Sequence, residues 1–166
     1  MVDSVTGLPL RKATVKTSDG VFTTGADGRF PLPKPDSRLS IGVAKPGYAD
    51  RSVRSLAAHA SAIVKLVPFA SVSGRISDED GDPLPILTVM LYRIPDDPGG
   101  PESESAALAT TQSNGRYLFD RLRPGRYKIQ ALGGPGRARL YYPGVAGWSA
   151  AATVAVAAGE HLEGYD

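Results

Sequence analysis

The sequence predicts an all-β protein built as two tandem, mostly antiparallel β-sandwich domains. Three observations predict it. One pattern of turn, strand, strand, tight turn and strand occurs twice. It runs Asp3 to Leu10, Ala13-Thr14-Val15 and Thr23 to Phe30, then again Ser77 to Leu84, Leu87-Thr88-Val89 and Thr110 to Tyr117. Nineteen glycines and fourteen prolines divide 166 residues into short segments, as turn-rich β domains require. Asp27-Gly28 and Asn114-Gly115 each sit between apolar runs, a strong local signal for a hairpin turn. Gly7 and Gly81 lie 74 positions apart, whereas Gly28 and Gly115 lie 87 apart. The second repeat therefore carries a loop insertion.

The first domain is expected over residues 1–67. Thr6-Gly7-Leu8-Pro9 is a turn, with glycine free to take positive φ and proline fixing its own. Leu10 to Thr17 and Val21 to Gly25 are strands around the Ser18-Asp19-Gly20 turn. A type I′ turn at Asp27-Gly28 leads into Arg29-Phe30-Pro31-Leu32. After a loop at Lys34 to Ser37, period-two alternation puts Leu39, Ile41 and Val43 on the core face. Val53 to Ala62 reads as a strand followed by a loop or a short helical turn, and Ile63 to Val67 closes the domain at Pro68.

The second domain is expected over residues 69–166. Ala70 to Ile76 opens it. Pro85 to Arg93 follows, with Leu87, Val89 and Leu91 on one face and Tyr92 on the other. Residues 94–107 form an acidic, Pro/Gly-rich insertion with too little apolar surface to order itself. Leu108 to Thr111 is expected to pair with Tyr117 to Phe119 across Asn114-Gly115. Tyr127, Ile129 and Ala131 line one face of the next strand, and Ala152 to Ala157 is the following one. Both ends look cut: Met1-Val2 and Glu163 to Asp166 resemble partial strands, so a fragment of a longer protein is expected.

The ordered set of motifs resembles the carboxypeptidase regulatory-like domain, which is related to collagen-adhesin B-type repeats. The matching pieces are the Gly-x-Pro-Leu turn, the apolar-x-Val strand, the Thr-x-x-(Asp/Asn)-Gly-Arg-(Phe/Tyr) hairpin, Leu122 to Tyr127, and Lys45-Pro46-Gly47-Tyr48. The resemblance implies two transthyretin-like (Ig-like Greek-key) sandwiches. It also implies an extracellular, cell-surface or periplasmic setting and a non-catalytic role as spacer, docking or adhesive module. Partners would be other domains of the parent protein or another protein. Such modules are joined to many unrelated proteins, so fold alone does not give function.

Composition narrows the rest. The formal charge is +2, with both signs mixed along the chain, which argues against nucleic-acid binding. Without cysteine there are no disulfides, thiolate nucleophiles or zinc–cysteine sites. No signal peptide is visible at Met1-Val2-Asp3, and no stretch approaches the roughly 20 apolar residues of a membrane span. No cofactor is expected.

Each candidate site has a plain structural reading beside it. His59 and His161, the only histidines, lie in poorly patterned stretches away from any nucleophile elbow, so solvated loop histidines are expected and no enzyme. Asp78, Asp80 and Asp82 cluster enough oxygen for calcium but lack an EF-hand register; a solvated turn is the preferred reading, and no metal is expected. Asp27 and Asn114 answer to turn geometry, and the aromatics after the arginines to the core. Asn114 is committed to a turn, which leaves no Lys–Asn crosslink. Tyr141, Tyr142 and Trp148 cluster beside Pro143-Gly144 and are the first place to look for a ligand surface, against the alternative of a satellite cluster on the sandwich. Two alternatives stand beside the interaction module: a carbohydrate-binding module taking polysaccharide on these rings, and a filament subunit self-associating through open sheet edges.

Overall fold

The computed structural model describes residues 1–31, 39–56, 62–95, 104–133 and 138–166. The chain divides into two compact units, Met1–Phe69 and Ala70–Asp166. Among the described residues there is no α-helix, so the fold is all-β. The expectations for His59, the Lys34–Ser37 loop and most of the 94–107 insertion fall outside these residues.

The first unit contains β1 (Val2–Asp3), β2 (Thr14–Thr17), β3 (Gly20–Thr23), β4 (Leu39–Ala44), β5 (Arg51–Leu56) and β6 (Lys65–Leu66). One antiparallel sheet has the order β3-β2-β4-β5, while β1 and β6 pair in parallel. Val15, Ile41, Val43 and Leu66 form the buried core, with Phe22, Phe30 and Tyr48 packed against it.

The second unit contains β7 (Ala70–Arg75), β8 (Thr88–Ile94), β9 (Glu104–Thr110), β10 (Arg116–Leu122), β11 (Gly125–Leu132), β12 (Leu140–Tyr141), β13 (Val154–Val156) and β14 (His161–Leu162). A single 3-10 turn covers Trp148–Ala150. One sheet runs β10-β7-β14; the other runs β12-β11-β8-β9, with β13 also on β11. Alternation separates the faces. Val72, Val89, Leu91, Phe119 and Ile129 are all at most 3% exposed and fill the core. Burying such a side chain contributes about 1.5–3 kcal/mol. Both units close with the last strand parallel to the first, β6 on β1 and β14 on β7. The sheets are therefore not purely antiparallel, because the last strand joins the first strand in its own direction.

One device recurs at the same place in both units. The Thr24 hydroxyl is buried; it donates to the Leu10 carbonyl and accepts the Ala13 amide, at 2.5 and 2.9 Å. The Thr111 hydroxyl donates to the Leu84 carbonyl and accepts the Leu87 amide, at 2.6 and 2.8 Å. Each threonine also holds a bulge whose central residue, Lys12 (φ 54°) or Ile86 (φ 58°), is left-handed. That bulge is why β2 begins at Thr14 and β8 at Thr88, later than apolar alternation implies.

The two glycine turns also differ from expectation. In each, the glycine amide bonds the carbonyl three residues back: Gly28 to Gly25 and Gly115 to Gln112. Asp27 and Asn114 keep negative φ, while Gly28 (φ 70°) and Gly115 (φ 75°) are left-handed. This is a type I turn ending in a glycine bulge rather than a type I′ turn. The side-chain oxygens of Asp27 and Asn114 accept the amides of Arg29 and Arg116. A Cβ on Gly28 would lie 2.4 Å from the Met1 carbonyl oxygen, and one on Gly115 2.5 Å from that of Ile76. Glycine is required there for space as well as for φ.

The segments flanking the second turn do not form a hairpin. β9 pairs with β8, and β10 pairs with β7 in the other sheet. The turn carries the chain from one sheet to the other because Thr111 is already bonded to Leu84 and Leu87. The expected insertion is also shorter than 94–107: Ile94 ends β8, and Glu104 already pairs with Arg93.

Asp3 has an analogue in Asp78. The Asp3 carboxylate is buried and accepts the amides of Val5 and Thr6 and the Tyr48 hydroxyl, the last at 2.8 Å. Burial alone would raise its pKa; the two amides and the tyrosine together outweigh it and hold the pKa below the ordinary value.

Three outcomes follow. Replacing Thr111 by Val leaves the Leu84 carbonyl and the Leu87 amide without partners, and should cost about 2–3 kcal/mol in urea unfolding. Ile86 is 85% exposed, so Ile86→Gly relieves left-handed strain without losing burial, and should raise stability by about 0.5–1 kcal/mol. Because the Asp3 pKa is lowered on folding, its contribution is complete above pH 3.8, the ordinary value, and is lost as pH falls through the folded value. Acid melts of Asp3→Asn should lack that component.

Candidate functional site

The surface that gathers most of the singled-out aromatics is the outer face of the five-stranded sheet. Period-two alternation sends Met90 and Tyr92 outward from β8, and Lys128 and Gln130 outward from β11. Over them lies Trp148 from the 3-10 turn, with Tyr141 from β12 beside it. The Trp148 ring meets Tyr92 edge-to-face at 5.6 Å and Tyr141 edge-to-face at 5.7 Å. Lys128 Nζ sits 4.7 Å from the indole centroid and donates to the Trp148 carbonyl at 2.5 Å. The Tyr92 hydroxyl donates to Gln130 Oε1 at 3.0 Å. Lys128 and Gln130 are buried beneath this layer, at 8% and 4% exposure, while the three rings remain half-buried.

The sequence thus located Tyr141 and Trp148 correctly as neighbours, but Tyr142 parts from them. Its amide bonds the Ile129 carbonyl, and its ring packs on the core beside Tyr165 at 5.3 Å. Tyr142 lines a cleft of about 190 Å3 with Tyr117, Ile129, Tyr165 and Arg75, and Tyr141 reaches the rim of the same cleft. The Tyr117 hydroxyl donates to the Tyr165 carbonyl there, and burial raises its pKa well above the ordinary tyrosine value. Lys128, Gln130 and Tyr92, which sequence adjacency does not link to Trp148, complete the layer. Their signal was the alternation that placed Tyr127 and Ile129 inward, which sends their neighbours outward.

The other candidates have local roles. Asp78 Oδ1 accepts the amides of Asp80 and Asp82, so this carboxylate closes the turn. Among the described residues no group of three or more His, Asp or Glu side chains is arranged to hold a metal ion. His161 lies on β14, not in a loop, and its Nδ1 is 2.7 Å from Ser71 Oγ on the exposed side of the sheet. Among the described residues no carboxylate is hydrogen-bonded to this imidazole, so the pair lacks the orienting third member of a triad.

The second unit is thus a small β-sandwich whose first and last strands pair in parallel. The model of the carboxypeptidase regulatory-like domain matches residues 71–163, and the chain belongs to that family. No curated protein matches. Among solved structures, the chain is similar to the Bacillus anthracis TIE protein at 16% identity and a TM-score of 0.41, over 98% of this chain and 31% of that one. It is also similar to GBS52, the minor pilin of Streptococcus agalactiae, at 13% identity and a TM-score of 0.34, over 95% of this chain and 82% of that one. The chain thus spans under a third of the TIE protein's length.

Two edge-to-face pairs and a cation–π contact predict that Trp148→Ala costs the second unit about 2–3 kcal/mol in thermal or urea unfolding. A tryptophan serving only as a free stacking platform would leave the unfolding curve unchanged.

Proposed function

We propose that this chain is a non-catalytic interaction module of a cell-surface or exported protein. The first unit, residues 1–67 in the sequence reading, would be a second domain of the same family. The observation that carries this reading is the aromatic layer on the outer sheet face of the second unit. A sandwich already has a complete core between its sheets, so folding alone does not call for a second layer of Tyr92, Tyr141 and Trp148 on the solvent side. Half-buried rings held edge-to-face by a rigid sheet form a contact surface prepared at little entropic cost. Lys128 and Gln130 already have hydrogen-bond partners within the layer, so docking would not bury these two groups unpaired.

The favoured partner is a protein surface, and polysaccharide is the second reading. Polysaccharide stacking needs an indole face clear of other groups, and Lys128 stands over one face of Trp148. Trp148 is the only tryptophan, so its fluorescence reports the site directly. Titration with soluble xylan, chitin oligomers and peptidoglycan fragments should leave the emission unchanged. A saturable shift with any of these would replace the protein partner by a glycan. A photo-crosslinker at Tyr141, introduced in the producing cell, should yield discrete protein adducts that one at exposed Asp120 does not. Equal labelling from both positions would sink the docking reading.

A further inference from the structure

The edges of the two sheets in the second unit are not equally defended. β10 ends the three-stranded sheet and carries Arg116, Asp120 and Arg121. Arg121 is left-handed (φ 56°), and the pairing of β10 with β7 shifts register between Phe119 and Leu122. Charge and irregularity of this kind keep an edge from pairing with another chain. On the opposite edges of these sheets lie only short strands, β12 and β13 of two and three residues on β11 and β14 of two residues on β7, too short to template a strand.

β9 is different. It ends the five-stranded sheet with seven residues, Glu104 to Thr110, and among the described residues it pairs with β8 alone. From Ser105 to Thr111 it has no charged residue and no proline. One register shift, opposite Leu91 and Tyr92, leaves Ala107 to Thr110 in regular pairing with Thr88 to Leu91. Leu108 is 64% exposed on the outer face, in the same row as Met90. Ala107 and Ala109, on the inner face, pack against the core.

We propose that β9 pairs antiparallel with β9 of a second copy of this chain, joining two five-stranded sheets into one. The strand itself selects this occupant. A two-fold pairing centred on Leu108 sets it against the partner's Leu108, and covers an apolar side chain now in water. The same register sets Ala107 against the partner's Ala109, and Ala106 against the partner's Thr110. The same register opposes no charged residue to another between Ser105 and Thr111. A charged foreign strand would find no counter-charge anywhere between Ser105 and Thr111. Self-pairing does not require the aromatic layer to bind anything, so either idea can fail alone.

The test uses the whole chain. Sedimentation velocity from 1 to 500 μM should show a monomer–dimer equilibrium. Hydrogen exchange at 105–110 should slow at least tenfold between the ends of that range, while exchange in β10 stays constant. Leu108→Lys should shift the dissociation constant at least tenfold higher and abolish the concentration dependence of exchange. Circular dichroism would check that this exposed substitution leaves the fold intact. A monomer throughout, or a dimer whose β9 amides exchange at a concentration-independent rate, would overturn the proposal. A dimer that survives Leu108→Lys unchanged would do so too.

Discussion

A single buried threonine hydroxyl, at the same place in each unit, anchors the backbone around it. Thr24 and Thr111 each bridge one carbonyl and one amide of a bulge that would otherwise bury unpaired backbone groups. With the bulge held, the strand after it starts late and in fixed register. In the second unit, with Thr111 held, the turn that follows does not fold back as a hairpin but delivers its chain to the opposite sheet. The glycine of that turn then passes so close to a neighbouring carbonyl that no side chain fits. A hydroxyl, a left-handed bulge and a missing Cβ therefore act as one constraint. Its recurrence in both units explains why the repeat is visible in the sequence at all.

Much of the fold could be read from residues alone, because period-two alternation depends only on neighbours along the chain. Val89 and Leu91 inward with Tyr92 outward, and Tyr127 and Ile129 inward, follow from it directly. What alternation does not encode is which strand lies next to which. Thr110-Thr111 and Asn114-Gly115 look alike in a hairpin and in a crossing between sheets; the distinction rests on Leu84 and Leu87, more than twenty positions away. The same limit explains the parallel strand pairs, since β14 lies ninety positions from its partner in β7. For the surface, adjacency in sequence misled at Tyr142. β12 ends at Tyr141, and Tyr142 begins a turn in which its amide bonds the Ile129 carbonyl and its ring packs on Tyr165 instead of joining Trp148.

The aromatic layer covers the outer sheet face of the second unit without disturbing the core between the sheets. Lys128 and Gln130 stand on the solvent side of β11, where polar residues belong, yet both are buried. Trp148, Tyr92 and Tyr141 roof them, and Lys128 and Gln130 both find partners inside the layer. The result is a rigid, mostly apolar cap whose orientation is fixed by β8, β11 and β12 together. Loops at the ends of a sandwich vary easily; a cap on the sheet face inherits the stiffness of the ladder beneath it.

Within each unit, the strand that enters and the strand that leaves lie side by side and point the same way. In the first unit Val2 bonds Val64 and Ser4 bonds Leu66; in the second Ser71 bonds Glu160 and Tyr165 bonds Ser73. Tension drawn along the chain therefore pulls the two strands past each other rather than peeling them apart. All the bonds between them carry load together, instead of breaking one at a time. A polypeptide threaded through such units resists traction in proportion to the whole ladder, and the close packing of the first and last strands sets that threshold.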